Sequence, residues 1–304
     1  MKRNIYSYSK LWMIFFVLMG AACTNQVEDA IPVSGQPIEF SVQSDWKEIP
    51  NTRSDDDKTQ FGPNDEIRIF GFHNGNQKFM YVVDASGKGK GQLVKTYDGV
   101  NWDYSPKRFW PKDGSLVFFA SYPENSILND YEAHQMIYDQ TVNPLRRDLL
   151  WGVSIVECTG RKNNDVGIKM VHALAKVNIS FDKSLGNVGR VIVSAYKTGW
   201  FPRTLGGGIP DWRVDDKTKN IDAIFEYEDH KDNNPVTIFI LPDKITGLRM
   251  FGYDGKEIFD SDVSQKIKDL KFDAGKEYNL KISKRAQRNT NSRSIAMSVR
   301  CVSE

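Results

Sequence analysis

The residue types that most often carry catalysis or bind metals are few and scattered in this chain. It has three cysteines and four histidines, and no CxxC or HxxxH spacing brings two of them together. Zinc sites are built from such closely spaced pairs. Asp55, Asp56 and Asp57 are consecutive, so they lack the alternating oxygen ligands and the terminal Glu of a calcium loop. We predict no metal site and no cofactor.

The remaining candidates for chemistry are also weak. His172 has no Asp or Ser pattern close to it in sequence, and we predict a structural histidine at a domain junction. Gly206–Gly208 are not followed by Lys-Ser/Thr and do not form a phosphate-binding loop. The net charge of +2 does not call for nucleic acid as a partner. We predict that the chain is not an enzyme, with a hydrolase built from acids distant in sequence as the third hypothesis.

The first 22 residues are predicted to be an export signal. The apolar run Leu11–Met19 follows a basic start and is too short to span a bilayer. Gly20-Ala21-Ala22-Cys23 resembles a bacterial lipobox, except that Gly20 stands where Leu is usual. The resemblance implies that Cys23 is lipidated and anchors the mature chain in the outer membrane. The alternative is an ordinary secretory signal in which Cys23 is incidental. Residues 23–36 are then a polar tether.

The other two cysteines leave two alternatives open. Cys158 and Cys301 could form a disulfide in an oxidising compartment. Alternatively, Cys301 is a small apolar residue of the last strand.

Hydrophobic periodicity predicts an all-β chain. In Val166–Phe181 apolar residues alternate with polar ones on both sides of a short break at His172–Ala175, which predicts two strands with one face on a core and the other in water. Aromatic residues make up 12% of the chain, which favours strands over helices. We predict two β-sandwich domains in tandem, 37–175 and 176–284. Similar runs predict strands at 37–42, 61–72, 115–123, 148–156, 188–195, 235–241 and 278–283.

The first predicted strand is followed by a charged loop. Ile38, Phe40 and Val42 alternate with polar residues, and Arg53 begins the run Arg53–Lys58. Three adjacent Asp cannot be buried unpaired, so this loop is exposed. An exposed Arg is a site for a trypsin-like protease. The alternative is a solvated linker.

The tail, residues 285–304, is a basic linker followed by one more strand pattern. Ile295, Met297, Val299 and Cys301 alternate with more polar residues. A strand separated from its domain by a spacer can fold back on its own sheet, or it can join the sheet of another molecule. We therefore predict a candidate donor strand in this tail.

A series of short motifs in fixed order resembles the fimbrillin family of Bacteroidota-type bacteria, which includes Mfa-like and major-fimbrillin-like lipoproteins. The motifs run over most of the mature chain: Asn64-Asp65-Glu66-Ile67, Trp102, Phe109-Trp110-Pro111, Phe119-Ala120-Ser121-Tyr122-Pro123, Asp148-Leu149-Leu150, Met170-Val171-His172-Ala173-Leu174-Ala175-Lys176-Val177 and Phe272-Asp273-Ala274-Gly275-Lys276-Glu277-Tyr278.

The resemblance implies two transthyretin-like β-sandwich domains and a structural subunit, or adhesin, of surface fimbriae at the outer membrane. It also implies that a protease cuts after Arg53, releases the strand Ile38–Val42, and leaves a groove for a terminal strand of the next subunit. The predicted partners are other fimbrial subunits, the outer membrane and a host or bacterial surface ligand. Stalk, anchor and tip remain open as subunit classes.

An alternative function is a monomeric outer-membrane lipoprotein that binds a glycan or a protein ligand. In this hypothesis exposed aromatic residues near Gly206–Gly208, namely Trp200, Phe201 and Trp212, form the binding platform, and the tail folds back on its own domain.

Overall fold

The computed structural model describes residues 33–44, 60–83, 89–124, 127–130, 134–140, 148–160, 163–203, 208–214, 221–228, 235–258, 266–284 and 297–303. Regular structure in these ranges is almost entirely β, so the all-β prediction is confirmed. A short 3-10 helix, Lys183–Leu185, is capped by Asp182, whose side chain accepts a hydrogen bond from the Ser184 N–H. No helix in the described ranges is long and apolar enough to cross a membrane.

The first fourteen strands are β1 (Val33–Pro37), β2 (Glu39–Ser44), β3 (Glu66–His73), β4 (Gln77–Met80), β5 (Val82–Val83), β6 (Gly89–Lys90), β7 (Gln92–Thr96), β8 (Trp102–Asp103), β9 (Phe109–Pro111), β10 (Ser115–Tyr122), β11 (Ile127–Asp130), β12 (Gln135–Asp139), β13 (Leu150–Glu157) and β14 (Asp165–His172). The remaining strands are β15 (Ala175–Phe181), β16 (Val188–Tyr196), β17 (Thr198–Pro202), β18 (Arg213–Val214), β19 (Ile221–Glu228), β20 (Val236–Ile240), β21 (Ile245–Gly252), β22 (Glu277–Lys284) and β23 (Met297–Ser303). β1 begins inside the segment predicted to be a tether.

The predicted pair of strands around residues 172–175 is present as β14 and β15, with Ala173 and Leu174 between them. β14 has buried and exposed residues in alternation, as predicted. β15 is buried on both faces, including Lys176 and Asn178, so the prediction of a water-facing side is wrong for this strand. Hydrogen bonds from Asn178 to Glu277 and from Thr237 to Asn178 satisfy the Asn178 amide. Lys176 Nζ lies 3.9 Å from a carboxylate oxygen of Glu277.

The largest sheet has the order β2-β14-β13-β10-β3-β7-β8, with β4 paired to β3. Its inner face buries a cluster that we call the first core, which includes Ile38, Phe40, Ile69, Phe118, Ile168, Met170 and Trp102. The sheet curls so that its two ends meet, because Tyr104, which follows β8, contacts Ile38 and Phe40 at the other end. β2 thus fills the place between β14 and the chain after β8.

A second sheet, β18-β17-β12-β11-β6-β5, is separate from the first. Between them lies a cluster that we call the junction core, with Phe72, Phe119, Tyr138, Trp151, Leu174, Tyr196 and Phe201 among its members. β17 pairs with β12 from Thr198↔Asp139 to Pro202↔Gln135, so strands from beyond residue 175 complete a sheet begun before it. The division into domains at 175/176 stays a prediction.

The last two sheets, β20-β15-β22-β23 and β19-β16-β21, enclose the last core. It contains Val177, Ile179, Val191, Val193, Ile238, Met250, Leu280 and Ile282. β22 lies between β15, to which it is parallel, and β23, to which it is antiparallel.

Candidate functional site

The strand that leads into the Arg53 segment lies at an edge. β2 is hydrogen-bonded to one neighbouring strand, β14, and the pairing is parallel from Glu39↔Asp165 to Ser44↔Met170. β1 pairs with β9 instead, with Pro37 opposite Phe109. Because β2 has one paired neighbour, it is held by fewer main-chain hydrogen bonds than a central strand. Its pairing is also parallel, which is slightly less stable per residue than antiparallel pairing.

The apolar side of β2, together with Ile38 just before it, is buried in the first core. Ile38 is fully buried, and Phe40 and Val42 of β2 are 6% and 9% exposed. The Phe40 ring lies edge-to-face against Phe118, with centroids 5.4 Å apart, and 5.5 Å from the Tyr104 ring. The alternation predicted for these three residues is confirmed, whereas their release from the chain stays a prediction.

The main chain of Ile38 is held by residues outside the neighbouring strand. Its N–H donates to the Arg108 carbonyl at 2.8 Å, and its carbonyl accepts from the Tyr104 hydroxyl at 2.8 Å. Burial raises the pKa of Tyr104 to about 12, because the phenolate would be poorly solvated. The hydroxyl therefore keeps its proton, and remains a donor, throughout the physiological pH range.

The tail strand occupies another edge. β23 is antiparallel to β22, with Cys301 opposite Leu280, Val299 opposite Ile282 and Met297 opposite Lys284. Of the two fates open to a tail strand, this structure contains the fold-back on its own sheet. Ile295 lies outside the described residues, and the role of the tail as a donor stays a prediction.

A partly buried polar pair joins the ends of two strands at the junction. The Asp148 carboxylate is hydrogen-bonded to His172 Nδ1, and it also accepts from the Leu149 N–H at 2.8 Å. Burial raises the pKa of Asp148, and the hydrogen bond to His172 acts against this. The antiparallel pairing of Leu150 with His172 brings the two groups together. This arrangement fits the structural role predicted for His172.

Sequence reasoning missed Asp148 as the partner of His172, because the two are 24 residues apart. Pairing the predicted strands 148–156 and 166–172 as a hairpin would have found it. Nearby, the Trp212 indole N–H donates to the Ala173 carbonyl at 2.6 Å. Phe201 is 3% exposed, and Trp212 is packed on the junction core. The alternative hypothesis that these two aromatic residues are exposed is wrong, because Phe201 is buried and Trp212 is partly buried against the junction core.

The remaining predicted residues are the candidates for lipidation, cleavage, calcium binding and a disulfide. Cys23, Arg53 and Asp55–Asp57 lie outside the described residues. Cys158 is buried as part of the first core, whereas Cys301 lies in a different sheet. Across the described ranges, no three His, Cys, Asp or Glu side chains lie close enough to hold a metal ion.

Comparison with known proteins gives one family and several structures of similar fold. Residues 52–297 match the fimbrillin-like family. No curated protein sequence matches the chain. A candidate cell adhesion protein from Bacteroides uniformis is 18% identical, with a TM-score of 0.53 over 88% of this chain and 98% of that one. A second, from Bacteroides ovatus, is 12% identical, with a TM-score of 0.52 over 87% and 96%.

The fimbrial anchor protein Mfa2 from Porphyromonas gingivalis is 12% identical, with a TM-score of 0.39 over 88% of this chain and 97% of its own. At these identities the solved structures bear on the fold alone. The family match spans most of the chain, including β3 to β22, and it agrees with the order of motifs and the all-β architecture. The chain belongs to the fimbrillin-like family.

Proposed function

We propose that this chain is a structural subunit, or adhesin, of bacterial surface fimbriae. It is exported as a lipoprotein precursor, anchored in the outer membrane through Cys23, and assembled by strand exchange after removal of its first strand. Membership of the fimbrillin-like family supports a fimbrial or cell-surface role. The partners are other fimbrial subunits, and the function needs no catalytic chemistry.

The observation that carries the proposal is the edge position of β2 and the burial of its apolar side chains. It is an edge strand whose buried apolar residues Phe40 and Val42 continue the pattern of the buried Ile38 just before it, and it precedes the segment that contains Arg53. A cut after Arg53 would leave β2 bound to the rest of the chain by non-covalent contacts alone. If Cys23 carries lipid, that cut would also separate the subunit from its membrane anchor.

The tail has the pattern that a replacement strand requires. β23 is seven residues long, with Met297, Val299 and Cys301 at alternate positions. Ile38, Phe40 and Val42 have the same spacing. Burying three such side chains contributes about 5–9 kcal/mol, and ordering seven residues costs about 7–14 kcal/mol. The two terms are of similar size, so a strand of this kind binds where a groove is already formed and can be exchanged.

The experiment is digestion of the mature protein with an Arg-specific protease, followed by N-terminal sequencing and size analysis. The matched control is Arg53→Lys, which keeps the charge and removes the cleavage site. We expect the wild type to be cut after Arg53 and to form higher-order ladders. A third protein that lacks residues 294–304 should be cut but remain monomeric. Cleavage of the wild type without assembly would refute strand exchange.

A second candidate function is a monomeric surface lipoprotein that binds a glycan or a protein ligand. The observation that favours it is the position of β23, which already completes the sheet of its own chain. In that case the Arg53-cleaved protein stays monomeric, and deletion of residues 294–304 changes its stability rather than its assembly.

A further inference from the structure

Two strand pairs that involve the ends of the folded chain run in parallel. β2 pairs with β14 over six residue positions, and β15 pairs with β22 over six. Every other strand pairing in the described residues is antiparallel. β2 belongs to the N-terminal end of the fold, and β22 is the last strand before the tail strand β23. Both are thus attached to β14 and β15, which follow each other in the chain.

β14 and β15 are joined by a link of two buried residues, Ala173 and Leu174. The Ala173 N–H donates to the Leu149 carbonyl at 2.8 Å, and its carbonyl accepts from the Trp212 indole N–H at 2.6 Å. The Leu174 carbonyl accepts from the Gly275 N–H at 2.8 Å. Residues from three other parts of the chain hold this link, so β14 and β15 are not joined by a free hinge.

The direction of pairing decides how a strand pair responds to tension between the chain ends. Such tension pulls β2 toward its N-terminal end and β14 toward its C-terminal end. In a parallel pair these two ends lie at opposite ends of the ladder, so its hydrogen bonds resist sliding together. In an antiparallel pair they lie at the same end, and the bonds open one after another. The same argument applies to β15, pulled toward its N-terminal end, and β22, pulled toward its C-terminal end.

We propose that the fold carries tension between the two ends of the chain through two parallel ladders in series. The load passes through β2, β14, the link, β15 and β22. The ladders belong to the fold itself, whereas a load that comes from a membrane anchor rests on the proposed function and concerns the chain before any cut after Arg53. Parallel pairs are slightly less stable at equilibrium, but the barrier to forced unfolding depends on how many bonds break together.

The strands outside the two ladders open before them. β23 is antiparallel to β22, and its C-terminal end lies opposite the start of β22. Tension on that end separates the pairs from Tyr278↔Ser303 onward, until the load reaches Lys284 at the end of β22. At the other end of the chain, β1 has two register pairs with β9, fewer than β2 has with β14. The two longer ladders therefore carry the load after these contacts have opened.

Side chains add to the second ladder. Asn178 of β15 is 8% exposed, and its Nδ2 donates to Asn279 Oδ1 at 3.0 Å and to Glu277 Oε1 at 2.6 Å. The Ser180 hydroxyl donates to the Leu280 carbonyl at 3.2 Å. These bonds join β15 to β22, so they increase the number of bonds that must break when the two strands slide past each other.

The proposal is tested by pulling the same chain in three directions with optical tweezers at constant force. The chain without its lipid, residues 24–304, is held by its two ends, by its N-terminal end and Thr159, or by Lys183 and its C-terminal end. Both internal residues are exposed and receive the handle through an introduced azide-bearing side chain. Thr159 precedes β14 and Lys183 follows β15, so the second and third directions open one ladder each from a single end.

We expect the chain held by its two ends to remain folded at least about tenfold longer at the same force than in either other direction, because several ladder bonds must break together. In this direction the weaker of the two ladders sets the lifetime. A lifetime equal to, or shorter than, that in either of the other directions would therefore overturn two ladders in series.

The control for this comparison is the equilibrium stability of the three chains. Their free energies of unfolding in urea should agree within about 0.5 kcal/mol, as expected for changes at exposed positions, so that the lifetimes differ through direction alone. The experiment uses neither lipid nor cleavage after Arg53. Failure of the proposed function would therefore leave its outcome unchanged, and failure of the ladders would leave the fimbrial role intact.

Discussion

Replacing Phe40 by Ala tests how firmly β2 belongs to the first core. The ring is 6% exposed and contacts two aromatic rings, edge-to-face with Phe118 and tilted against Tyr104. Truncation of a buried Phe costs about 3–5 kcal/mol. Each aromatic contact adds about 0.5–1.5 kcal/mol beyond the buried area. We therefore expect a loss in the upper half of that range, about 4 kcal/mol.

Because β2 is an edge strand, the lost stabilisation can be observed in one of two ways. If β2 stays docked until the protein unfolds, the full amount lowers the free energy of unfolding. If β2 detaches first, global unfolding changes less, and the amides of β2 exchange faster by up to about 1,000-fold, since 1.4 kcal/mol corresponds to a factor of ten.

Urea denaturation and native-state amide exchange should therefore be measured on the same variant. The control is Gln43→Ala, an exposed position on the same strand, for which we expect a change within about 0.5 kcal/mol. The reasoning is refuted if Phe40→Ala alters the free energy of unfolding by less than about 1 kcal/mol and leaves exchange in β2 within threefold of the wild type.

Two further predictions concern the junction and the main sheet. Burial raises the pKa of Asp148 from its ordinary value of 3.8, so the folded state binds the carboxyl proton more tightly than the unfolded state does. The free energy of unfolding should therefore fall as the pH rises through the folded-state pKa. Asp148→Asn should remove this part of the pH dependence, seen as a flatter plot of unfolding free energy from pH 3 upward; a parallel plot would contradict it. Gly152→Ala should destabilise by about 1–3 kcal/mol, because a Cβ there would lie 2.7 Å from Ile168 Cγ2 and 2.9 Å from the Lys169 carbonyl oxygen. Gly167→Ala has nothing within 4 Å of its new Cβ and is the control in thermal denaturation; equal melting temperatures for the two variants would contradict the packing argument.

The long strands could be predicted because their apolar residues recur with a simple period or form a continuous apolar run. β14 and β15, with the break between them, were readable from alternating apolar residues. Residue type also identifies some turns: Asp-Gly is a favoured hairpin pair, and Gly255 of Asp254-Gly255 has a φ of +73°. By contrast, β5, β6 and β18 contain two residues each, too few for any period, so the sheet they share was missed.

The groups that define the candidate site were harder to predict. The main chain of Ile38 is held by the Tyr104 hydroxyl and the Arg108 carbonyl, which belong to a segment far later in the chain. The hydrophobic periodicity of the sequence contains no information about such contacts. The pairing of Asp148 with His172 was hidden for a similar reason, because it depends on which two strands are neighbours and in which register.

Residue type and local spacing are enough to predict the all-β class, the family, and the alternation of Ile38, Phe40 and Val42. Tertiary packing sets the rest: β2 is an edge strand in parallel pairing with β14, Tyr104 and Arg108 bond the main chain of Ile38 just before it, and β17 and β18 complete a sheet begun before residue 175. Pairing partners are selected by the packing of whole sheets around shared cores. That selection involves residues far apart in the chain, so a local sequence pattern cannot predict it.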